Sequence, residues 1–258
     1  MLLLGVSVPA VLLLGQGTPL CRGKDLTAVP DARFEQRAQI ASAGGADAEK
    51  IVCLTFDDGP SGTTRKVLEV LAREQVPATF FVIAADNNRE ELPLVAEELE
   101  QGHQVALHTC SHDYRRIYAS PEAYWQDIKE LRRALSPYIP AEELGWLRFP
   151  GGSTNTVSHR YGGSDIMERL KQQAGEMGYR YIDWNLCAED AAGGHPSPEQ
   201  IIQNVVGDVG EKKTCVVLMH DTAATGNTAE ALPGIIRWFR DRKFTFCTVE
   251  QMAEAMLK

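Results

Sequence analysis

The sequence predicts an α/β fold, a distorted (β/α)7-type barrel that forms a single domain over residues 49–258. From Glu49 onward, short apolar runs typical of strands alternate with amphipathic patterns typical of helices. Alternation of this kind indicates a parallel sheet covered by helices. The number of strand–helix units, about seven, favours a closed or nearly closed barrel, with a doubly wound open sheet as the alternative.

The individual elements follow from the same patterns. The predicted strands are Ile51–Thr55, Ala78–Ile83, Gln104–Leu107, Trp146–Phe149, Tyr179–Trp184, Cys215–His220 and Phe244–Thr248. The predicted helices are Thr64–Gln75, Pro93–Gln101, Pro121–Leu135, Asp165–Met177, Pro198–Val209, Ala229–Arg240 and a last helix ending at Leu257. Ser197, Pro198 and Gln200 supply the cap, first-turn proline and capping-box residue of a helix start. Gly178 provides a C-terminal stop for the helix before it.

The composition narrows the class of protein. Hydrophobic residues make up 44% of the chain and charged residues 24%, the profile of a soluble globular protein. The formal net charge of -9 argues against a nucleic-acid partner, because phosphate binding requires a basic surface.

The amino-terminal segment differs from the rest. Residues 1–21 contain no charged side chain and include a dense apolar run of signal-peptide length. This pattern predicts a signal peptide or membrane anchor, with a buried first strand or helix as the alternative. Residues 22–48 show no sustained amphipathic period and are interpreted as a linker. We therefore expect an extracellular or cell-envelope location, with membrane contact only through the amino-terminal segment if it is uncleaved.

The six cysteines contain no Cys-x-x-Cys pair, so a structural zinc cluster is not expected. Cys53, Cys215 and Cys247 lie in apolar strand-like runs and are interpreted as small core residues. Cys110 and Cys187 lie in loops beside the candidate site, so they are the first pair to test for a disulfide.

Two polar clusters follow predicted strands. Asp57 and Asp58 come just after the first predicted strand, Ile51–Thr55. Adjacent carboxylates point in different directions, so one can bind a metal while the other acts as a base. A simple Asp-rich turn is the alternative. His108 and His112 would lie on one face, within reach of one ion, if this stretch is helical. Two solvated loop histidines are the alternative.

Three further clusters lie at the carboxyl ends of predicted strands. They contain Arg148 with Gly151, then Asp183 with Trp184, and then His220. Taken singly, each admits a structural explanation: a glycine turn, a strand end with a packed tryptophan, and an isolated histidine. Taken together, they indicate a site, because the carboxyl ends of parallel strands in these folds face one mouth.

The motifs TFDDGP, HTCSH, RFPGG, YIDWN and LMH resemble, in order, the five motifs of the NodB-homology polysaccharide deacetylases, carbohydrate esterase family 4. The resemblance covers Ile51 to Leu257. It implies a monomeric hydrolase that removes N-acetyl groups from a cell-envelope glycan, with N-acetylglucosamine of peptidoglycan favoured. Chitin-type oligomers, poly-N-acetylglucosamine and acetylxylan remain alternative substrates. A catalytically silent sugar-binding relative and a metal-free amidohydrolase relative are the competing functions.

The resemblance also implies roles for individual residues. Asp58, His108 and His112 would bind one divalent metal ion, with zinc favoured and cobalt or another divalent ion able to substitute. Asp57 would be the general base, and Arg148 would keep it ionised and oriented.

Further roles complete the expected site. His220 would be the general acid, with Asp183 raising its pKa. The backbone N–H of Gly151 would stabilise the oxyanion, and Trp184 and Leu218 would line the slot for the acetyl methyl group. The family often has an aromatic residue at the position of Gly151, so a more open groove wall is expected here.

Overall fold

The computed structural model describes residues 50–257. The predicted segments 1–21 and 22–48 therefore lie outside the described residues. Strands β1–β8 span Lys50–Asp57, Thr79–Ile83, Gln104–Thr109, Trp146–Leu147, Arg180–Tyr181, Leu186–Cys187, Thr214–His220 and Phe244–Phe246. Helices α1–α9 span Gly62–Glu74, Leu94–Glu100, Tyr114–Ile117, Pro121–Leu135, His159–Gly162, Ile166–Glu176, Pro198–Gly207, Gly226–Asp241 and Val249–Leu257. Short 3-10 turns occupy Arg89–Glu91 and Ala141–Glu143.

The sheet confirms the predicted α/β class. Its strands run in the order β5-β4-β3-β2-β1-β7-β6, and β8 pairs with the beginning of β1. The pairings are parallel, so the carboxyl ends of the strands share one edge. Within the described part of the chain, β5 and β6 stand at the two ends of this order, and the sheet forms a half-barrel.

The central strand β1 shows how side chains divide between the two faces. Val52, Leu54 and Phe56 belong to the large apolar cluster that includes the packed helices. Cys53 belongs instead to a second cluster, which fills the inside of the half-barrel. Because side chains alternate along a strand, Asp57 follows the parity of Cys53 and faces the inside.

The inner cluster is closed at its base by the last helix. Val249, Met252 and Ala253 of α9 are buried in the same cluster as Phe81 and Val216 from the sheet. Apolar residues therefore fill the lower part of the half-barrel, and the polar side chains collect at its carboxyl end.

Two predicted helix ends are confirmed. Ser197 caps α7, and a capping box joins its side chain to Gln200, with Pro198 in the first turn. Gly178 follows α6 with a φ of 79°, a left-handed conformation that glycine adopts at little cost.

The segment after β5 differs from the prediction. The predicted strand Tyr179–Trp184 is shorter, at Arg180–Tyr181, and a separate strand β6 follows. Asn185 makes this turn possible, because its side chain donates to the carbonyl of Thr214 and accepts from the N–H of Val216. Two-residue strands carry too little alternation to be seen in a sequence.

The thiols are partly as predicted. Cys53, Cys215 and Cys247 are buried and free, as expected of core residues. Cys110 is also a free buried thiol, and its Sγ lies 3.6 Å from the carbonyl oxygen of Ala84. The predicted disulfide between Cys110 and Cys187 is therefore wrong.

The helices within residues 50–257 include none with the length and hydropathy of a membrane span.

Candidate active site

The predicted polar clusters meet at the carboxyl edge of the sheet. Asp57 ends β1 and is the direct neighbour of His220, which ends β7. His108 lies near the end of β3, and Arg148 directly follows β4. The common parallel direction of the strands places these four side chains at one mouth, as the sequence predicted.

Asp58 and two histidines form the centre of this site. The Oδ1 atom of Asp58 lies 3.5 Å from Nε2 of His108 and 3.3 Å from Nε2 of His112. One ligand atom from each of the three side chains falls within 4.8 Å of the other two. Burial alone would raise the pKa of Asp58, but His112, His108 and His220 together hold it below its usual range.

The hydrogen bonds of His108 determine which nitrogen faces the centre. Its Nδ1 lies 2.7 Å from the carbonyl oxygen of Arg148, which can only accept, so Nδ1 carries the proton. Burial lowers the pKa of His108, although Asp57 and Asp58 oppose this effect. The neutral ring therefore presents the lone pair of Nε2 to Asp58, as a metal ligand requires.

The two histidines come together without the helix on which their common face was conditional. His108 belongs to β3, and His112 lies in the following loop with a φ of 50°. Asp127 of α4 holds this loop by accepting bonds from the N–H groups of Cys110 and Ser111, at 2.5 and 3.1 Å, and from the Ser111 hydroxyl at 2.6 Å. Sequence reasoning missed Asp127, although an acidic residue on the apolar face of α4 was a usable signal.

Arg148 is fully buried and joins three segments of the chain. Its Nη1 donates to Thr55 and to Oδ1 of Asp57, both at 2.8 Å. Its Nε donates to the carbonyl oxygen of Ile182, and its Nη2 donates to that of Asp183, at 3.1 and 3.2 Å. The predicted pairing of Arg148 with a carboxylate is confirmed.

The carboxylate beside His220 belongs to Asp190. Nδ1 of His220 lies 2.8 Å from Oδ1 of Asp190, and the backbone N–H of His220 donates to Oδ2 at 2.8 Å. Thr228 donates to the same Oδ2 at 2.7 Å. Burial alone would lower the pKa of His220, but Asp190, with smaller contributions from Asp58 and Asp57, raises it to about 9.

Asp183 was predicted to raise the pKa of His220, and this is wrong. Its carboxylate accepts instead from the N–H and the hydroxyl of Ser153, at 2.8 and 2.7 Å. In the chain, Asp183 precedes β6 and Asp190 follows it. The turn into that strand therefore decides which of the two carboxylates reaches His220. The sequence contains both acids but does not reveal this turn.

The glycine loop after Arg148 is held on several sides. Gly151 and Gly152 have φ angles of 76° and 85°, which few other residues adopt. Tyr118 donates to the carbonyl of Pro150 at 2.7 Å, and Asn155 donates to that of Gly152 at 2.9 Å. These hydrogen bonds hold the backbone of the loop in one conformation at the rim of the site.

The two residues predicted to line an apolar slot lie in the inner cluster. Leu218 stands two residues before His220 on β7, so both side chains have the same parity. Trp184 is buried nearby, with its ring 5.6 Å from the guanidinium carbon of Arg148. Both residues thus border the inside of the half-barrel below the polar site.

Asp221 connects the ends of β7 and β1. Its N–H donates to the carbonyl of Asp57 at 3.2 Å, and its carboxylate accepts from Thr64 at 2.5 Å. A Cβ atom at Gly59 would lie 2.2 Å from Oδ2 of Asp221. The turn after Asp58 therefore needs glycine at this position.

Comparisons with known proteins agree with this geometry. The family model described as polysaccharide deacetylase matches residues 44–182. The chain belongs to the polysaccharide deacetylase family. A relative from Bacillus cereus, a peptidoglycan-N-acetylglucosamine deacetylase, is 30% identical over 225 residues, which are 83% of this chain and 74% of the relative.

Other members of the polysaccharide deacetylase family extend this result. A chitooligosaccharide deacetylase from Rhizobium leguminosarum bv. trifolii is 29% identical over 84% of this chain and 100% of its own length. The catalytic domain of a peptidoglycan N-acetylglucosamine deacetylase from Eubacterium rectale superposes with a TM-score of 0.73 at 36% identity, covering 80% of this chain and 90% of that domain. The protein is thus an enzyme, a polysaccharide deacetylase.

The Asp190–His220 contact predicts a specific change in titration. Replacing Asp190 with Asn should lower the pKa of His220 from about 9, because the main charge that opposes burial is lost. Asp183→Asn is the matched control and should leave this pKa near the parent value, since Asp183 contacts Ser153. NMR titration of labelled histidines measures both variants. An equal fall in the two variants would contradict the assignment.

The Gly59–Asp221 contact predicts that two glycine-to-alanine substitutions differ in their effect on stability. Gly59→Ala should lower the free energy of unfolding by about 1–3 kcal/mol, because a Cβ there overlaps the Asp221 carboxylate. Gly62→Ala is the control; its Cβ meets no atom within 4 Å, and alanine favours the start of α1. Denaturant unfolding of both variants tests this, and equal stabilities would contradict it.

Proposed function

We propose that this polysaccharide deacetylase is a metal-dependent enzyme that removes N-acetyl groups from N-acetylglucosamine of peptidoglycan. The observation that carries the proposal is the group of Asp58, His108 and His112, which stands beside both a carboxylate, Asp57, and a histidine of raised pKa, His220. The peptidoglycan substrate is supported by the relatives from Bacillus cereus and Eubacterium rectale, which are peptidoglycan N-acetylglucosamine deacetylases.

The three ligand candidates fit a divalent ion. Oδ1 of Asp58 is buried and accepts no hydrogen bond within the described part of the chain, so a cation would supply the partner it lacks. One carboxylate with two imidazoles suits zinc, and cobalt or another divalent ion can use the same ligands. When bound, the ion would supply Lewis acidity toward water and the acetyl carbonyl.

Asp57 is suited to the role of general base. Arg148 occupies its Oδ1, while its Oδ2 lies 3.8 Å from Nε2 of His108, next to the ligand group. Oδ2 can therefore take a proton from the attacking water as the water oxygen bonds to the acetyl carbon.

His220 is suited to the role of general acid. With a pKa of about 9 it carries two ring protons at neutral pH, and Nδ1 is engaged by Asp190. The Nε2 proton is the one that can be transferred to the amine nitrogen as the bond between carbon and nitrogen breaks. Acetate and the free amino sugar are the products.

The surroundings have supporting roles in this proposal. The N–H of Gly151 would stabilise the oxyanion, and Leu218 and Trp184 would border the acetyl methyl group. Asp183 would act by holding the Gly151–Ser153 loop through its bonds to Ser153.

An envelope location is part of the proposal. The uncharged apolar segment of residues 1–21 supports export to the cell envelope. A peptidoglycan substrate is accessible there.

The substrate and the metal can be tested together. Zinc-loaded enzyme should release acetate from peptidoglycan at a higher rate than from chitooligosaccharides, poly-N-acetylglucosamine or acetylxylan. A strong chelator should abolish the release, and zinc or cobalt should restore it, because Asp58, His108 and His112 would have lost their ion. Full activity of metal-free enzyme would contradict metal dependence, and no release from any glycan would favour a sugar-binding protein.

The division of roles between the two adjacent acids is also testable. Asp57→Asn should reduce kcat by at least about 100-fold, because the proton acceptor is removed. The variant should retain metal, since the ligands are assigned to Asp58 and the two histidines. Asp58→Asn is the matched variant and should lose metal affinity. Elemental analysis after dialysis measures bound zinc; loss of zinc from Asp57→Asn would place Asp57 among the ligands.

A further inference from the structure

The side chain of Tyr114 occupies the space beside Gly151. A Cβ atom built on Gly151 would lie 2.7 Å from the Tyr114 hydroxyl oxygen. The Tyr114 ring also meets the ring of His112 edge to face, with 5.6 Å between their centroids. The expected opening of the groove wall at Gly151 is therefore wrong at this point, because a tyrosine from the start of a helix, Tyr114–Ile117, fills it.

The position of Tyr114 is well supported. Tyr114 begins α3, and the Asp113 side chain caps that helix by accepting from the N–H of Arg115 at 2.9 Å. Its ring packs edge to face on Tyr118, with centroids 5.4 Å apart. Tyr118 in turn donates to the carbonyl of Pro150 in the glycine loop. Tyr118 thus fixes the position of the Tyr114 ring relative to the glycine loop.

The hydroxyl of Tyr114 is a permanent hydrogen-bond donor. A tyrosine phenol has an ordinary pKa of about 10, so it is uncharged at physiological pH. The side chain is half-buried at the rim of the site. A neutral phenol among carboxylates binds acceptor oxygens without adding charge, and sugar hydroxyl and acetamido oxygens are such acceptors.

We propose that Tyr114 is a substrate-binding residue that forms the groove wall next to His112 and donates a hydrogen bond to an oxygen of the bound N-acetylated sugar. This rests on the proposed function, since an acetyl group that reaches Asp58 and His112 brings its sugar ring to the rim beside them. A tyrosine here combines a flat apolar face with a polar tip, both of which suit a pyranose ring. Tyr114 would thereby supply the aromatic groove wall that Gly151, which has no side chain, cannot supply.

The first test is Tyr114→Phe, which removes only the hydroxyl. On the glycan that the parent deacetylates, KM should rise about 3- to 10-fold, the range expected for one neutral hydrogen bond, while kcat stays within about 2-fold. Tyr138→Phe is the matched control and should leave both constants unchanged. Tyr138 lies before β4 and packs against the large apolar cluster that includes the packed helices. An unchanged KM, or a fall in kcat at unchanged KM, would overturn the proposal.

A double-mutant cycle tests the contact itself. Gly151→Ala should raise KM, because the added Cβ displaces the Tyr114 hydroxyl. Adding Tyr114→Phe to this variant should raise KM no further, since the hydrogen bond is already lost. Effects that multiply would contradict a shared contact.

The two proposals fail in different ways. If zinc-loaded parent releases no acetate from any glycan, the proposed function is wrong. If the parent is active and Tyr114→Phe, folded with the parent's thermal midpoint, has the parent's KM, only the role of Tyr114 is wrong.

Discussion

The buried guanidinium of Arg148 is the interaction on which the site depends. Isolated burial of a charge costs several kcal/mol, so the surrounding chain must satisfy every side of it. Asp57 and Thr55 do so from β1, carbonyl oxygens of Ile182 and Asp183 do so from the segment after β5, and the Phe81 ring lies 4.1 Å from its central carbon. Because these partners come from distant parts of the chain, satisfying one cation also orients Asp57, whose second oxygen lies 3.8 Å from Nε2 of His108.

A second group of buried acids holds the loops around this core. Asp127, Asp183 and Asp190 each accept a hydrogen bond from a backbone N–H, and each also accepts one from a serine or threonine hydroxyl. Asp221 joins β7 to β1 differently: its own N–H donates to the carbonyl of Asp57, and its carboxylate accepts from the Thr64 hydroxyl. These carboxylates hold the backbones of irregular loops, and they explain how residues on such loops keep fixed positions at the edge of the sheet.

Sequence reasoning identified the fold class and most of the polar side chains that meet at the carboxyl edge of the sheet, and two of its departures from the structure have the same cause. A common face for His108 and His112 was conditional on a helix, yet a left-handed residue in a loop brings them together. Asp183 was assigned to His220, yet the turn into β6 gives that place to Asp190. Each departure concerns a contact set by an irregular backbone. Periodicity describes strands and helices, but it contains no information about where an irregular loop turns.

By itself, the sequence determined the strand–helix alternation and the polar residues that end each strand. It thereby determined the edge of the sheet that carries the chemistry, because parallel strands bring their carboxyl ends together. Only the tertiary structure decided which side chains touch there: Asp190 against His220, Asp183 against Ser153, and Tyr114 over Gly151. The physical reason is that such contacts join residues far apart in the chain, and their distances depend on the packing of whole elements rather than on local residue order.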